Sequence, residues 1–158
     1  MTNKDVMTGV KNKRAYAQIE AEIDEENKNG VQKPLAVVIC DLNGLKQVND
    51  TLGHSAGDEF ISSTCAIICD VFCHSPVFRI GGDEFAVILQ ERDYDHRDTL
   101  AARLAAALDE HKHMGIRPLA FGISDYEPKT DMRVQDVFER ADKLMYEDKK
   151  RCKNTEAH

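Results

Sequence analysis

The chain has 158 residues, 42% of them hydrophobic and 31% charged, which fits one globular domain able to bury a core without disulfide or metal staples. Twenty-one basic against 28 acidic residues leave a net charge of −7, a poor balance for wrapping nucleic acid but no bar to holding a nucleotide. No apolar run nears the ~20 residues that span a bilayer, and the first residues lack the apolar stretch of a signal peptide.

The first periodic segment runs from Lys13 to Asn29, with Tyr16, Ile19 and Ile23 on one helical face and Asn29-Gly30 as the stop. Leu35 to Cys40 is a continuous apolar run rich in β-branched residues, the pattern of a buried strand. A short helix is expected over Leu45 to Thr51. A longer one is expected over Ala56 to Cys73, where Ile61, Cys65, Ile68 and Phe72 share a face. Val77 to Ile80 and Phe85 to Leu89 flank Gly81-Gly82 and read as a β-hairpin. A helix over Thr99 to Lys112, a strand over Pro118 to Ser124 and a helix over Asp131 to Lys150 complete the order. That order contains β-α-β-β-α-β, so the expected fold is α+β and ferredoxin-like: a mainly antiparallel sheet flanked by helices. The whole of 1–158 is expected as one domain with short tails at about 1–4 and 155–158.

Five cysteines, an odd number, favour reduced thiols and a cytoplasmic setting. Cys65, Cys69 and Cys73 form a stripe at helical spacing. One helix offering every ligand along a rise of roughly 12 Å does not suit a single ion, so the stripe reads as small apolar packing residues.

Chemistry concentrates at strand ends. Asp41 closes the first long strand, and Asp83 and Glu84 stand at the hairpin turn. In a ferredoxin-like sheet those strands are neighbours, so the carboxylates converge. A hard divalent cation relieves such repulsion, taking one or two carboxylates plus phosphate oxygens.

Gly81-Gly82-Asp83-Glu84-Phe85 resembles the signature of the GGDEF domains, the diguanylate cyclases. Four further blocks follow the same order. They are Met7 to Arg14, Asp41 to Asp50 with Gly53-His54 and Gly57-Asp58, Arg79 before the signature, and Ala141 to Tyr146 with Lys149. The resemblance covers residues 5–154 and implies a nucleotidyl-cyclase-like fold. It also implies an activity: two GTP condense into cyclic di-GMP and two pyrophosphates across a homodimer formed transiently or under regulation, with Mg²⁺ or Mn²⁺.

By that resemblance, Asp41, the Leu42 carbonyl and Asp83 hold the metal, and Asp83 or Glu84 lies nearest the attacking hydroxyl. Asn49 and Asp58 read guanine. Gly44, Leu45, Lys46, Lys149 and Lys153 meet phosphates. A sensory domain upstream, no nucleic acid and no membrane partner within this chain are the matching expectations.

Three departures stand out. Asn43 replaces an Asp common in the family, and Lys153 replaces an Arg. The product-binding Arg-x-x-Asp of many members becomes Phe72-Cys73-His74-Ser75, so an inhibitory product site is expected to be absent, with Phe72 still able to stack. A catalytically silent GGDEF domain that binds GTP or dimerises is the alternative. The intact signature favours the active enzyme.

Overall fold

The computed structural model describes residues 2–156, with side chains through Cys152. In chain order the elements are β1 (Lys11–Asn12), α1 (Lys13–Lys28), β2 (Leu35–Leu42), α2 (Leu45–Leu52) and α3 (His54–Val71). They continue with β3 (Val77–Arg79), β4 (Glu84–Gln90), α4 (Glu91–Asp95), α5 (Arg97–Glu110), β5 (Leu119–Asp125) and α6 (Val134–Glu156).

The sheet order is β1-β3-β4-β2-β5. β4 runs antiparallel to β2 and β3, and β5 antiparallel to β2; only the β1–β3 pair is parallel. The last four strands thus form the ferredoxin-like arrangement, with two crossovers each passing over an intervening strand.

Strand parity sorts the core. On β2, Ala36, Val38, Cys40 and Leu42 face a cluster shared with α3 and α5. Leu35, Val37 and Ile39 face the opposite cluster with α1 and α6. Both faces of β2 are covered, which is why it reads as an unbroken apolar run. α1 is capped by the Asn12 side chain, which accepts from the Ala15 N–H at 3.0 Å. Tyr16 of α1 meets Phe78 edge-on at 5.4 Å.

Several elements differ from expectation. β1 spans two residues, too short to show any periodicity. The chain before it lies alongside: Asn12 N–H donates to the Asn3 carbonyl at 2.9 Å, and Lys4 bridges to Lys11. α4 has no counterpart in the sequence pattern; its five residues are mostly polar, and it opens at Glu91 with φ of 52°. α3 begins at His54, directly after Gly53, whose φ of 91° lets one residue separate two helices. It ends at Val71, so Cys73 lies beyond it and is exposed, and the three-cysteine stripe does not exist as one helix face.

α6 starts at Val134 rather than Asp131. Asp131 instead accepts from the Glu127 N–H at 2.8 Å and pairs with Arg140. Phe72 is 1% exposed. It belongs to the core under α3, and it cannot stack on any ligand at the surface.

Among the described residues no helix is long and apolar enough to cross a membrane.

Candidate functional site

The same parity rule builds the site. Asp41 follows Leu35, Val37 and Ile39 by twos, so its side chain points to the α6 face of the sheet. Glu84 precedes Ala86 and Ile88 by twos and shares that face. The β2–β4 register places Asp41 directly opposite Glu84. The ladder continues one step into the turn, where Leu42 N–H donates to the Asp83 carbonyl at 2.9 Å. Asp41, Asp83 and Glu84 therefore meet at one end of two adjacent strands, as the ferredoxin-like strand order predicts.

The turn that presents Asp83 is held from behind. Arg79 donates to the Gly82 carbonyl at 2.7 Å and pairs with Asp5 at 3.2 Å. Asp5 also accepts from the Thr8 N–H at 2.9 Å and from its hydroxyl at 2.6 Å. Sequence reasoning does not single out Asp5, which lies 74 positions from Arg79. Gly81 passes close to Glu84: a Cβ there would sit 3.3 Å from the Glu84 Cβ.

α6 lays Lys149 across the carboxylate end. Its ammonium is 3.1 Å from Asp41 Oδ1 and donates to the Leu42 carbonyl at 3.1 Å. Asp41 Oδ1 is buried, and the ammonium approaches it as an ion pair outside hydrogen-bond geometry. Burial raises the Asp41 carboxyl above its ordinary range, Lys149 pulls it back, and Asp83 beside it pushes it up again. Glu84 is raised by burial, then by Asp142, Asp41 and Asp83, with Lys149 opposing. Asp142, two helical turns before Lys149, is a contributor to this acidic cluster that spacing alone does not expose.

These donors suit a hard divalent cation. Asp41 and Leu42 already hold a positive charge in the Lys149 ammonium, and a buried carboxylate oxygen lacks a well-aligned donor. Among the described residues no three His, Cys, Asp or Glu side chains are grouped to hold a metal on their own. Two carboxylates and a backbone carbonyl, completed by phosphate oxygens, match the way Mg²⁺ is bound beside nucleotides.

Beyond β2 the chain is pinned. Asn43 N–H donates to the Pro118 carbonyl at 2.8 Å and its side-chain amide donates to the Arg117 carbonyl at 3.0 Å. The second bond needs a donor, which an Asp at this position would lack at neutral pH. Gly44 then turns with φ of 82°, and α2 starts with no side-chain cap. The backbone amides that open α2 are thereby left for an anion. Lys46 is exposed nearby. A cleft of about 580 Å³ beside α2 reaches Asn43, Gly44 and Lys149 but not Asn49 or Asp58.

Asn49 and Asp58 are brought together from α2 and α3. The Asn49 side chain lies on the backbone of Gly57: a Cβ there would sit 2.9 Å from Asn49 Cγ and closer still to its Oδ1. Asp58 is the next residue and is exposed. The side chain of Lys153 lies outside the described residues.

The family model for the diguanylate cyclase GGDEF domain matches residues 2–155. The chain belongs to the GGDEF family. Over 110 residues it is 36% identical to diguanylate cyclase DosC of Escherichia coli, a match covering 68% of this chain and 24% of that protein. It is 29% identical to diguanylate cyclase DgcS of Shewanella oneidensis, over 95% of this chain and 50% of that protein. The chain thus spans about a quarter to a half of the length of these curated relatives. The GGDEF domain of FimX from Pseudomonas aeruginosa has the same fold, with a TM-score of 0.81 and 96% of each chain covered at 19% identity. The five-stranded sheet and its two helical layers therefore have the fold of a GGDEF domain.

Proposed function

We propose that this GGDEF domain is an active diguanylate cyclase, condensing two GTP into cyclic di-GMP and two pyrophosphates between two copies of the domain. The observation that carries this reading is the meeting of Asp41, the Leu42 carbonyl, Asp83 and Glu84 under the Lys149 ammonium. This cluster, with the unbroken Gly81-Gly82-Asp83-Glu84-Phe85 string, supports an active enzyme over a silent domain that only binds GTP.

Each residue has a task in that reaction. A divalent cation held by Asp41, the Leu42 carbonyl and Asp83 would neutralise charge at the α-phosphate and favour the 3′-alkoxide. Lys149 pairs with phosphate oxygens once it leaves Asp41, and the amides of Gly44, Leu45 and Lys46 bind the same anion. The Lys46 side chain adds positive charge along the phosphate path. Asp83 or Glu84, the latter with its carboxyl raised by burial and by the acids around it, accepts the proton of the attacking 3′-hydroxyl. Each 3′-oxygen bonds to the other nucleotide's α-phosphorus as its bond to pyrophosphate breaks. Positioning supplies most of the rate in such transfers.

Asn49 and Asp58 read the base. Guanine offers N1–H and N2 donors that a carboxylate accepts, whereas adenine leaves that carboxylate unpaired. Gly57 makes the reading possible by leaving room for Asn49. Gly57→Ala should turn Asn49 away and lower the preference for GTP over ATP about tenfold. Thermal stability should hold or rise, because Ala favours a helix by about 1 kcal/mol over Gly. Selectivity equal to that of the parent would place guanine elsewhere.

Each domain holds one GTP, so specific activity with GTP and Mg²⁺ should climb with protein concentration until the homodimer saturates. Constant specific activity across a dilution series of a monomeric protein would contradict the two-domain reaction.

Feedback should be weak. The buried Phe72 and the Ser75 hydroxyl, which donates to Asp93, stand where family members bind product with Arg and Asp. Loss of two charge-assisted contacts weakens binding on the order of a hundredfold or more. Calorimetry with the active site filled by a non-hydrolysable GTP analogue should show no submicromolar cyclic di-GMP binding. A submicromolar site under those conditions would place a product site on this domain after all.

A further inference from the structure

Cys65 and Cys69 lie one turn apart on α3 with their sulfurs 4.0 Å apart, close enough for one thiol to donate to the other. Burial settles which one donates. Cys65 is 3% exposed inside the core beneath α3, where a thiolate would be costly to desolvate. Cys69 is only half-buried and opens to water. Cys65 therefore keeps its proton and points it at Cys69. The contact pulls the Cys69 thiol down to about 7, with burial acting the other way. Cys65 is pushed up by the same contact and by burial. Thr8 also faces Cys65, and the charged group acting on it is Asp5, itself paired with Arg79 at 3.2 Å.

We propose that Cys69 is a thiol–disulfide exchange site, its thiolate held by the Cys65 S–H and open to a small disulfide such as oxidised glutathione. In the exchange, the Cys69 sulfur attacks one sulfur of the disulfide. A new bond forms between them, the old sulfur–sulfur bond breaks, and the other half leaves as a thiolate. Cys69 is oxidised and the departing half is reduced. Cys65 stays a thiol throughout.

Two other roles for the pair fit less well. Cβ atoms at this helical spacing stand about 5–6 Å apart, whereas a disulfide needs about 3.5–4.5 Å, so a Cys65–Cys69 bridge would break α3. A metal would need further ligands, and among the described residues no third is grouped with the two sulfurs. The site is independent of the nucleotide chemistry: Cys69 follows Asp58 by eleven residues, about 16 Å along the helix.

Cys73 supplies the internal contest. It is the more exposed thiol, so access alone would make it react first. The native protein is incubated with oxidised glutathione at neutral pH, and the adduct is located by fragment-ion mass spectrometry. Cys69 should carry the adduct first, about tenfold faster than Cys73. Cys65→Ala should slow Cys69 about fivefold at neutral pH and move the midpoint of its pH–rate curve upward, leaving Cys73 unchanged. Reaction first at Cys73, or no adduct at Cys69, overturns the proposal. So does a folded Cys65→Ala variant whose Cys69 curve stays in place. If that variant does not fold, the contest in the parent protein decides alone.

Discussion

Asp83→Ala is expected to lower cyclic di-GMP formation about a thousandfold while leaving the fold intact. The loss follows from the proposed place of Asp83 among the metal-holding groups, where removing a ligand costs several kcal/mol at the transition state, about 4 kcal/mol for that factor. The fold survives because the structural task of the residue belongs to its backbone. The Asp83 carbonyl accepts from Leu42 N–H at 2.9 Å, and alanine keeps that bond.

The stability of the variant carries a sign of its own. Asp41 and Glu84 have folded-state pKa values above their ordinary ones, partly through Asp83. The folded state then holds more protons than the unfolded state as these groups titrate, so stability falls as pH rises through that range. Removing Asp83 relieves part of this. Its thermal midpoint at neutral pH should equal or exceed that of the parent. Wild-type turnover with Mg²⁺ would mean that the metal is held elsewhere.

Gly122→Ala is expected to be the most damaging single methyl in the chain. Gly122 sits on β5 directly beneath α6. A Cβ there would sit 2.8 Å from the Leu144 carbonyl carbon and closer still to the Ala141 oxygen and the Met145 nitrogen. These are backbone atoms of a helix that also carries Val134, Val137 and Ala141 into the core, so no side chain can swing aside. Either α6 lifts off the sheet or β5 shifts, at a cost of about 3 kcal/mol. Lys149 rides on the same helix and would be drawn away from Asp41. Denaturant titration should show the stability loss, and turnover of the folded fraction should fall with it. A variant as stable as the parent would show that the helix–sheet contact is looser than its geometry.

The contrast between these two positions shows what a sequence can convey. Asp83 stands inside a recognisable string and at a strand end, so its chemistry is legible from the residues alone. Gly122 lies within an ordinary strand pattern, Leu119 to Ser124, and only the approach of α6 reveals its role. The same holds for Asp5, whose partner Arg79 is distant in sequence, and for Asp142, which reaches Glu84 only once α6 docks. β2 and α3 are legible because burial on fixed faces imposes a period. β1 and α4 are not, since two residues carry no period and a short polar helix has no apolar stripe. Phe72 is buried as its shared face with Ile61, Cys65 and Ile68 predicts; what fails is the expectation that it could stack on a ligand, because that same burial takes the ring away from the surface.

The most direct measurement of the central claim is the product formed from GTP and Mg²⁺ at protein concentrations that saturate the dimer, with Asp83→Ala alongside. The expected result is cyclic di-GMP and pyrophosphate in a ratio of one to two, with the variant binding GTP but forming neither. Tight GTP binding by the parent without either product, under the same conditions, would contradict the account and mark the domain as a nucleotide-binding module.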